Sequence, residues 1–289
     1  MEIKQEFAAH KPYALAMQYS GDGRQLISVG MDNLVQTWNA EDWSNAATFK
    51  GHEKSSNGLA FSSDEKTLVT CSSDHSVRVW SYPEGKERLK LTDRKVVVGH
   101  VRVSAQDSYI VAGYYGGRVV VWNMAGEEQL NFKAHDKHVT GIAISPDEMR
   151  MATGTQGSEI RLWDLASGEQ VGELVGHEFV SMPLRFSADN NSLYSFGYEG
   201  KLIEWEWAQS KQARSLQLQG TDIRYPIISE DEQLLGVPMQ AQAELYSMAD
   251  FTQTDTLPIG SKVTNAIAIA PNNSQVAVSG GDGKIRIFS

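Results

Sequence analysis

The sequence predicts an all-β chain of seven four-stranded antiparallel units, a seven-bladed β-propeller, and three observations carry that reading. Aromatic residues close a strand at Trp38, Trp80, Trp122, Trp163, Trp205, Tyr246 and Phe288, at steps of 42, 42, 41, 42, 41 and 42. The text before each one repeats as strand, tight polar turn, strand: VGMDNLVQTW, CSSDHSVRVW, GYYGGRVVVW, GTQGSEIRLW, FGYEGKLIEW, VPMQAQAELY and SGGDGKIRIF. An apolar strand lies upstream of most repeats, as in GLAFSSDE and GIAISPDE, and a more charged stretch such as ERLKLTD or EEQLNFK follows.

Each element has a physical reason. The upstream strands run into turns built from Ser, Pro, Asp, Asn and Gly, the residues that close tight connections. The fourth stretch carries Lys4, Glu6, Arg88, Lys90, Glu127 and Glu173, charges that keep an outer edge from pairing with other chains and read as solubility devices. A lone sheet of four short strands leaves both faces bare, and radial stacking buries each face against a neighbour. A period near 42 with four strands per unit is therefore a propeller blade. The seventh unit ends after Phe288 without a fourth strand, while EIKQEF precedes the first. The two ends are expected to complete one blade, with residues near 2–8 pairing with 283–289, so that residues 1–289 form a single domain.

Composition narrows the function. With 41% hydrophobic and 21% charged residues the chain has ample material for a core. A net charge of −10 disfavours nucleic acid and anionic membrane surfaces as partners. The one cysteine, Cys71, rules out an internal disulfide framework and reads as a packed strand residue in a reducing compartment. No stretch reaches the ~18 apolar residues of a membrane span, and the N-terminus lacks a basic start followed by an apolar run. These features predict a soluble, cytoplasmic protein.

The dipeptides Ala9-His10, Gly51-His52, Ala134-His135 and Gly176-His177, and Trp163-Asp164, add to the repeat. Over the whole chain this pattern resembles the WD40-repeat family. The resemblance implies a structural hydrogen-bond chain in each blade: an indole, a hydroxyl, a histidine before the first strand and a turn carboxylate. Matching positions are His10, Ser28, Asp32 and Trp38 in blade one and His52, Thr70, Asp74 and Trp80 in blade two. Blade five has His177, Ser195, Glu199 and Trp205; blade four has His135, Thr153 and Trp163, with Gly157 where the carboxylate belongs. A buried indole or imidazole left without a partner costs about 1–3 kcal/mol, which explains such a chain without catalysis. A nucleophile repeated in several blades and held by Trp is not a catalytic triad. Blades three, six and seven place Arg94, Leu218 and Gly260 at the histidine position, so their cohesion is expected to rest on apolar packing.

The resemblance also implies partner-binding positions on the top face, three and five residues after the histidine and one before the turn carboxylate. These are Tyr13, Leu15 and Met31 in blade one, Val97 and Tyr115 in blade three, and Val180, Met182 and Tyr198 in blade five. Blade six, taken to lack one residue in its upstream hairpin, offers Asp222, Arg224 and Met239, and blade seven Val263 and Asn265. Met, Tyr, Val and Leu at turn positions suit protein contact; the alternative is that they fold over the channel and pack locally.

Other motifs carry no chemistry. The His135-His138 spacing is that of a metal pair only on a helix, and His135 belongs to its blade. His52-Glu53 and His177-Glu178 lack a second histidine, and Gly280-Gly281-Asp282-Gly283 lacks the Lys-Ser/Thr of a phosphate loop. No two turn carboxylates are singled out as a sugar-cleaving pair. The expected function is a non-enzymatic scaffold or adaptor, without cofactor or metal, monomeric as a propeller and binding proteins or peptides. The alternative is a small-ligand or glycan-binding propeller. Truncating Trp80 to Ala is expected to cost about 3–5 kcal/mol in denaturant unfolding, as a large core cavity does; a loss below about 1 kcal/mol would place Trp80 outside the core.

Overall fold

The computed structural model describes residues 1–92, 95–178, 180–219, 223 and 225–289, and the side chains of all of these except 180–183. It forms seven separate four-stranded antiparallel sheets, the blades of a seven-bladed β-propeller. Blade one runs Ala14–Tyr19, Gln25–Gly30, Val35–Asn39 and Asn45–Phe49, each strand paired with the next. Blades two to six repeat that order over 56–91, 98–133, 139–175, 180–217 and 227–258. A three-residue 3-10 turn at Trp207–Gln209 interrupts the pattern, and no α-helix occurs among the described residues.

Blade seven takes three strands from 264–288 and its fourth from Ile3–Ala8, as the sequence predicts. The closing pair is antiparallel, with Ile3 opposite Phe288 and Ala8 opposite Lys284. Glu6 does more than keep an edge soluble. It sits opposite Arg286 and binds Lys284 Nζ at 2.5 Å and Arg286 Nε at 2.8 Å. Arg286 in turn donates to Asp282 Oδ2 at 2.6 Å. Blade seven, which lacks the histidine, thus has an ionic clamp in addition to apolar packing.

The turn between first and second strands repeats in all seven blades. Gly23, Glu65, Asp107, Glu148, Asn190, Glu232 and Asn273 each have φ between 54° and 69°. Each donates its N–H to the carbonyl three residues earlier, at 2.8–3.0 Å. Six of the seven residues are not glycine, so the left-handed backbone must be held by its surroundings. A serine does much of this. Ser20, Ser62, Ser145, Ser187 and Ser229 donate to the aspartate two residues on, at 2.5–2.9 Å. The same hydroxyls accept the N–H five residues on, at 2.8–3.0 Å. The turns also bond to their neighbours in adjacent blades: Ser63 to Asp107, Asn190 to Asp147, and Asn273 to Asp231.

The chain divides into two compact units, one of Met1–Leu59, Ser81–Lys86 and Gly220–Ser289, the other of Ala60–Trp80 and Glu87–Gln219. Within the first, Tyr19, Leu26 and Trp38 of blade one pack on Ala266, Ala268 and Ile285 of blade seven. Phe288 and Val278 of blade seven pack on Leu245 and Leu257 of blade six. Within the second, Trp163 and Met151 of blade four meet Val111 and Val121 of blade three. Trp205 and Leu193 of blade five meet Ile160 and Leu162 of blade four. Trp38, Trp163, Trp205 and Phe288 of the aromatic beat are thus side chains laid against the preceding blade. Cys71 is buried in the second strand of blade two.

Ser187→Ala removes a donor to Asp189 and strands the Ser192 N–H. It is expected to lower unfolding free energy by about 1–2 kcal/mol in urea titration; an unchanged midpoint would show the serine latch to be dispensable.

Candidate interaction surface

In blades one and four the histidine-bearing segment reaches the first strand by docking on the turn of the blade before it. The N–H groups of Ala9 and His10 both point at the Gly283 carbonyl, at 2.9 and 3.2 Å, and those of Ala134 and His135 at Gly117, at 2.8 and 2.9 Å. Gly117 has φ +85°, and a Cβ there would lie 1.8 Å from the His135 carbonyl oxygen, so this approach requires glycine.

In blade one, His10 Nδ1 lies 2.7 Å from Asp32 and Nε2 2.8 Å from Ser28 Oγ, which accepts the Trp38 indole N–H at 2.9 Å. Burial alone would raise the Asp32 pKa; hydrogen bonds from His10 and from the Lys11 and Leu34 amides outweigh it and hold the carboxyl below its ordinary value. Blade five repeats the set, with His177 bound to Glu199 at 2.5 Å and Ser195 at 2.7 Å, and Trp205 donating to Ser195 at 2.7 Å. In blade two Trp80 donates to Thr70 at 2.8 Å, His52 is buried, and Asp74 accepts from the Ser76 hydroxyl at 2.6 Å.

Blade four brings together His135, Thr153 and Trp163, at 2.8 and 2.7 Å about the Thr153 hydroxyl. Its His135 Nδ1 is buried without a hydrogen bond. The Glu159 carboxylate, two residues past the empty Gly157 position, stands 3.7 Å away, beyond hydrogen-bond reach. Burial, then the charge of Arg161, pushes the His135 pKa down to about 4. Sequence spacing alone does not reveal Glu159, because it approaches from the next strand rather than from the turn.

The turn positions before the carboxylate carry exposed large apolar side chains in three blades. Met31, Tyr115 and Tyr198 are 38%, 44% and 50% accessible, against an otherwise short set of exposed large apolar side chains. The Met31 N–H donates to the Tyr13 carbonyl at 3.2 Å and that of Tyr115 to Val97 at 2.9 Å, which joins the two predicted positions within each blade. Tyr13, Leu15, Val97 and Val263 are half-buried, and Asn265 is buried. The Tyr115 ring stacks on His138, with centroids 4.3 Å apart and planes at 9°. Gly116 N–H donates to His138 Nδ1 at 2.9 Å, which leaves Nε2 to carry the proton. Val180 and Met182 lie in the first strand of blade five, and Arg224 and Asp222 lie outside the described residues, as does Arg94.

Blade six requires a correction. Its missing residue is not in the upstream hairpin, where Glu232 keeps the shared turn, but in the connection between second and third strands. There the Met239 N–H closes a short turn on the Gln242 carbonyl, at 2.8 Å. Met239 therefore follows directly on the strand Leu234–Pro238 and is 6% exposed, and Gln240 takes the outward position. The same shift puts Leu218 one residue before the histidine position. Its N–H docks on the Gly200 carbonyl at 2.8 Å, as Ala134 docks on Gly117.

A cleft of about 580 Å³ in the first unit is lined by Asp22, Arg24, Gln25, Asn39, Asp42 and Gln275. Glu41 lines it too, and two of the three carboxylates already serve the turns, Asp22 binding Ser20 and Asp42 binding Ser44. Among the described residues no group of His, Cys, Asp and Glu is arranged to hold a metal ion, and no helix is long and apolar enough to cross a membrane.

Gly157→Asp would supply the carboxylate that Asp32 supplies in blade one; a Cβ at 157 meets Thr155 at 3.5 Å, ordinary contact. A folded pKa near 4 against an ordinary 6.5 means that neutral His135 contributes stability fully above pH 6.5 and loses it as pH falls toward 4. The variant is expected to gain about 1 kcal/mol at neutral pH, and more at pH ~5, in denaturant titrations. A loss at both pH values would show that the blade-four histidine has no use for a carboxylate.

A family model described as WD domain, G-beta repeat matches residues 1–39, 43–81, 126–164 and 252–289. No curated protein matches the chain. The matched segments hold the histidines of blades one, two and four and together span more than half of the sequence, and with seven four-stranded blades they show that this chain belongs to the WD40 family.

Proposed function

We propose that this chain is a protein-interaction scaffold, a single monomeric propeller whose outward turn residues engage partner proteins or peptides. The observation that carries the reading is the recurrence of exposed large apolar side chains, Met31, Tyr115 and Tyr198, at one repeat position in blades one, three and five. Such side chains cost solubility unless a partner covers them, and Tyr and Met bury much area while adapting to shape. The stacked Tyr115-His138 pair adds a flat ring held in place before any partner arrives, so little side-chain entropy is lost on contact.

A hydrolytic role finds no support in the Ser-His-carboxylate sets. Ser28 and Ser195 are fully buried, and each is occupied by an indole N–H. A small-ligand or glycan role would call for free polar groups in a cleft, and in the cleft of the first unit Asp22 and Asp42 are engaged in their own turns.

In affinity capture from cells, the double variant Tyr115→Asp, Tyr198→Asp is expected to lose its partner, by about 2 kcal/mol or roughly 30-fold in affinity, with the melting temperature unchanged. Met149→Asp, an exposed apolar residue elsewhere in the repeat, is the control and keeps the partner. Capture that survives the double variant would move the interface away from these turns.

A further inference from the structure

Each blade ends on an outer strand whose far side carries a row of backbone N–H and C=O groups without a neighbouring strand, and such rows recruit other chains unless they are guarded. Ile3–Ala8, Lys86–Leu91, Glu128–Lys133 and Lys211–Gln217 carry lysine or arginine, and Gln253–Pro258 ends in proline. Asn45–Phe49 has no such guard, but what it exposes is Asn45, Ala46 and Thr48, with no large apolar anchor. Gln170–Val175 in blade four has no lysine, arginine or proline, and its one charged residue is Glu173.

Val171 and Val175 are 51% and 69% accessible, and no other outer strand among the described residues exposes two large apolar side chains. Val175 stands opposite the first residue of its blade's third strand, where blade three has Lys133, blade five Gln217 and blade six Pro258. Glu173 and Val175, two residues apart, share a face of the strand. Arg161 lies opposite Glu173 in register, but it binds Glu159 at 2.8 Å and the Ala134 carbonyl at 2.7 Å, and Glu173 has no ion pair among the described residues. One side chain among them reaches the backbone of this strand: Gln170 donates to the Gly172 carbonyl at 3.4 Å, short of Glu173 and Val175.

Unpaired backbone is matched by another extended backbone, from a second copy or from a different protein. A second copy that covers both valines must pair antiparallel about Glu173, which sets Glu173 opposite itself, and like charges directly opposite are destabilising. A strand that places a cation there avoids this cost and gains an ion pair. We infer that Gln170–Val175 is a strand-addition site for a partner protein, taking an extended segment with lysine or arginine opposite Glu173 and aliphatic residues two positions to either side. Backbone hydrogen bonds supply the affinity, and the alternation of valine, glutamate and valine sets the register. This edge of blade four is separate from the outward turns that carry Met31, Tyr115 and Tyr198.

The test uses the full chain and two fluorescein-labelled peptides, TVTKTVT and TVTETVT, read by anisotropy at low salt. The lysine peptide is expected to bind saturably, roughly fivefold or more tightly than the glutamate peptide, and to slow amide exchange at 173–175. Glu173→Lys is expected to reverse the preference. Val175→Lys, which installs the residue type that blade three carries at this position, weakens binding of the lysine peptide by a similar factor, and both variants keep the parent melting temperature. If Glu173→Lys does not fold, Glu173→Gln is expected to abolish the preference. Tyr115→Asp binds the peptide as the parent does, which separates this site from the turn surface. The inference is overturned if the lysine peptide shows no saturable binding up to about 1 mM, or if amide exchange at 173–175 is unchanged by it. It is equally overturned if the folded variant of Glu173 keeps the original preference, if Val175→Lys binds as tightly as the parent, or if the chain without peptide sediments as a dimer that Val175→Lys dissociates.

Discussion

A four-stranded sheet whose strands are at most seven residues long cannot bury either of its faces by itself, and this shortage governs the rest of the molecule. In blade four, Met151 and Trp163 turn one way to meet Val111 and Val121, while Ala152, Ile160 and Leu162 turn the other way to meet Leu193 and Trp205. Both faces of the sheet are therefore apolar, and alternation in the inner strands gives way to runs such as ISVG, VVVW and IVAG. Only the fourth strand, exposed along one edge, keeps a strong polar bias, as in KERLKL.

Stacked faces leave polar groups stranded at the blade margins, and the chain satisfies them by repetition. At one margin the indole N–H, the hydroxyl, the imidazole and a carboxylate form a relay in blades one and five. At the turn between first and second strands, serine and aspartate hold a left-handed residue in place. The two devices vary independently. Blade seven has Ala270 and Asn272 at the serine and aspartate positions and an Arg286 clamp in place of the histidine, whereas blade four keeps its serine latch and loses its carboxylate.

The variation bears on function. Where the hydrogen-bond relays are complete, their polar atoms are buried and committed, so the chemistry available to other molecules lies in what the repeat leaves unmatched. The exposed Met31, Tyr115 and Tyr198 are such residues: they take no part in the hydrogen-bond relays or the serine latches. Repeat positions hold the fold, and departures from the repeat mark candidate contacts.

The sequence by itself determined the number of blades, their four-strand makeup and the closure of the last blade by the first strand. Those features follow from a period, and a period survives local error because seven copies average it. It also placed the residues of the relays in blades one and five, since each lies at a constant offset from its tryptophan. Tertiary structure alone decided where the shortened turn of blade six falls. Moving the missing residue from one hairpin to the next leaves the aromatic spacing unchanged but turns Met239 from outward to buried. It likewise decided that Glu159 approaches His135 and that Glu6 clamps Lys284 and Arg286. Side-chain reach between strands depends on register and burial, and neither is written in the spacing of residues along one chain.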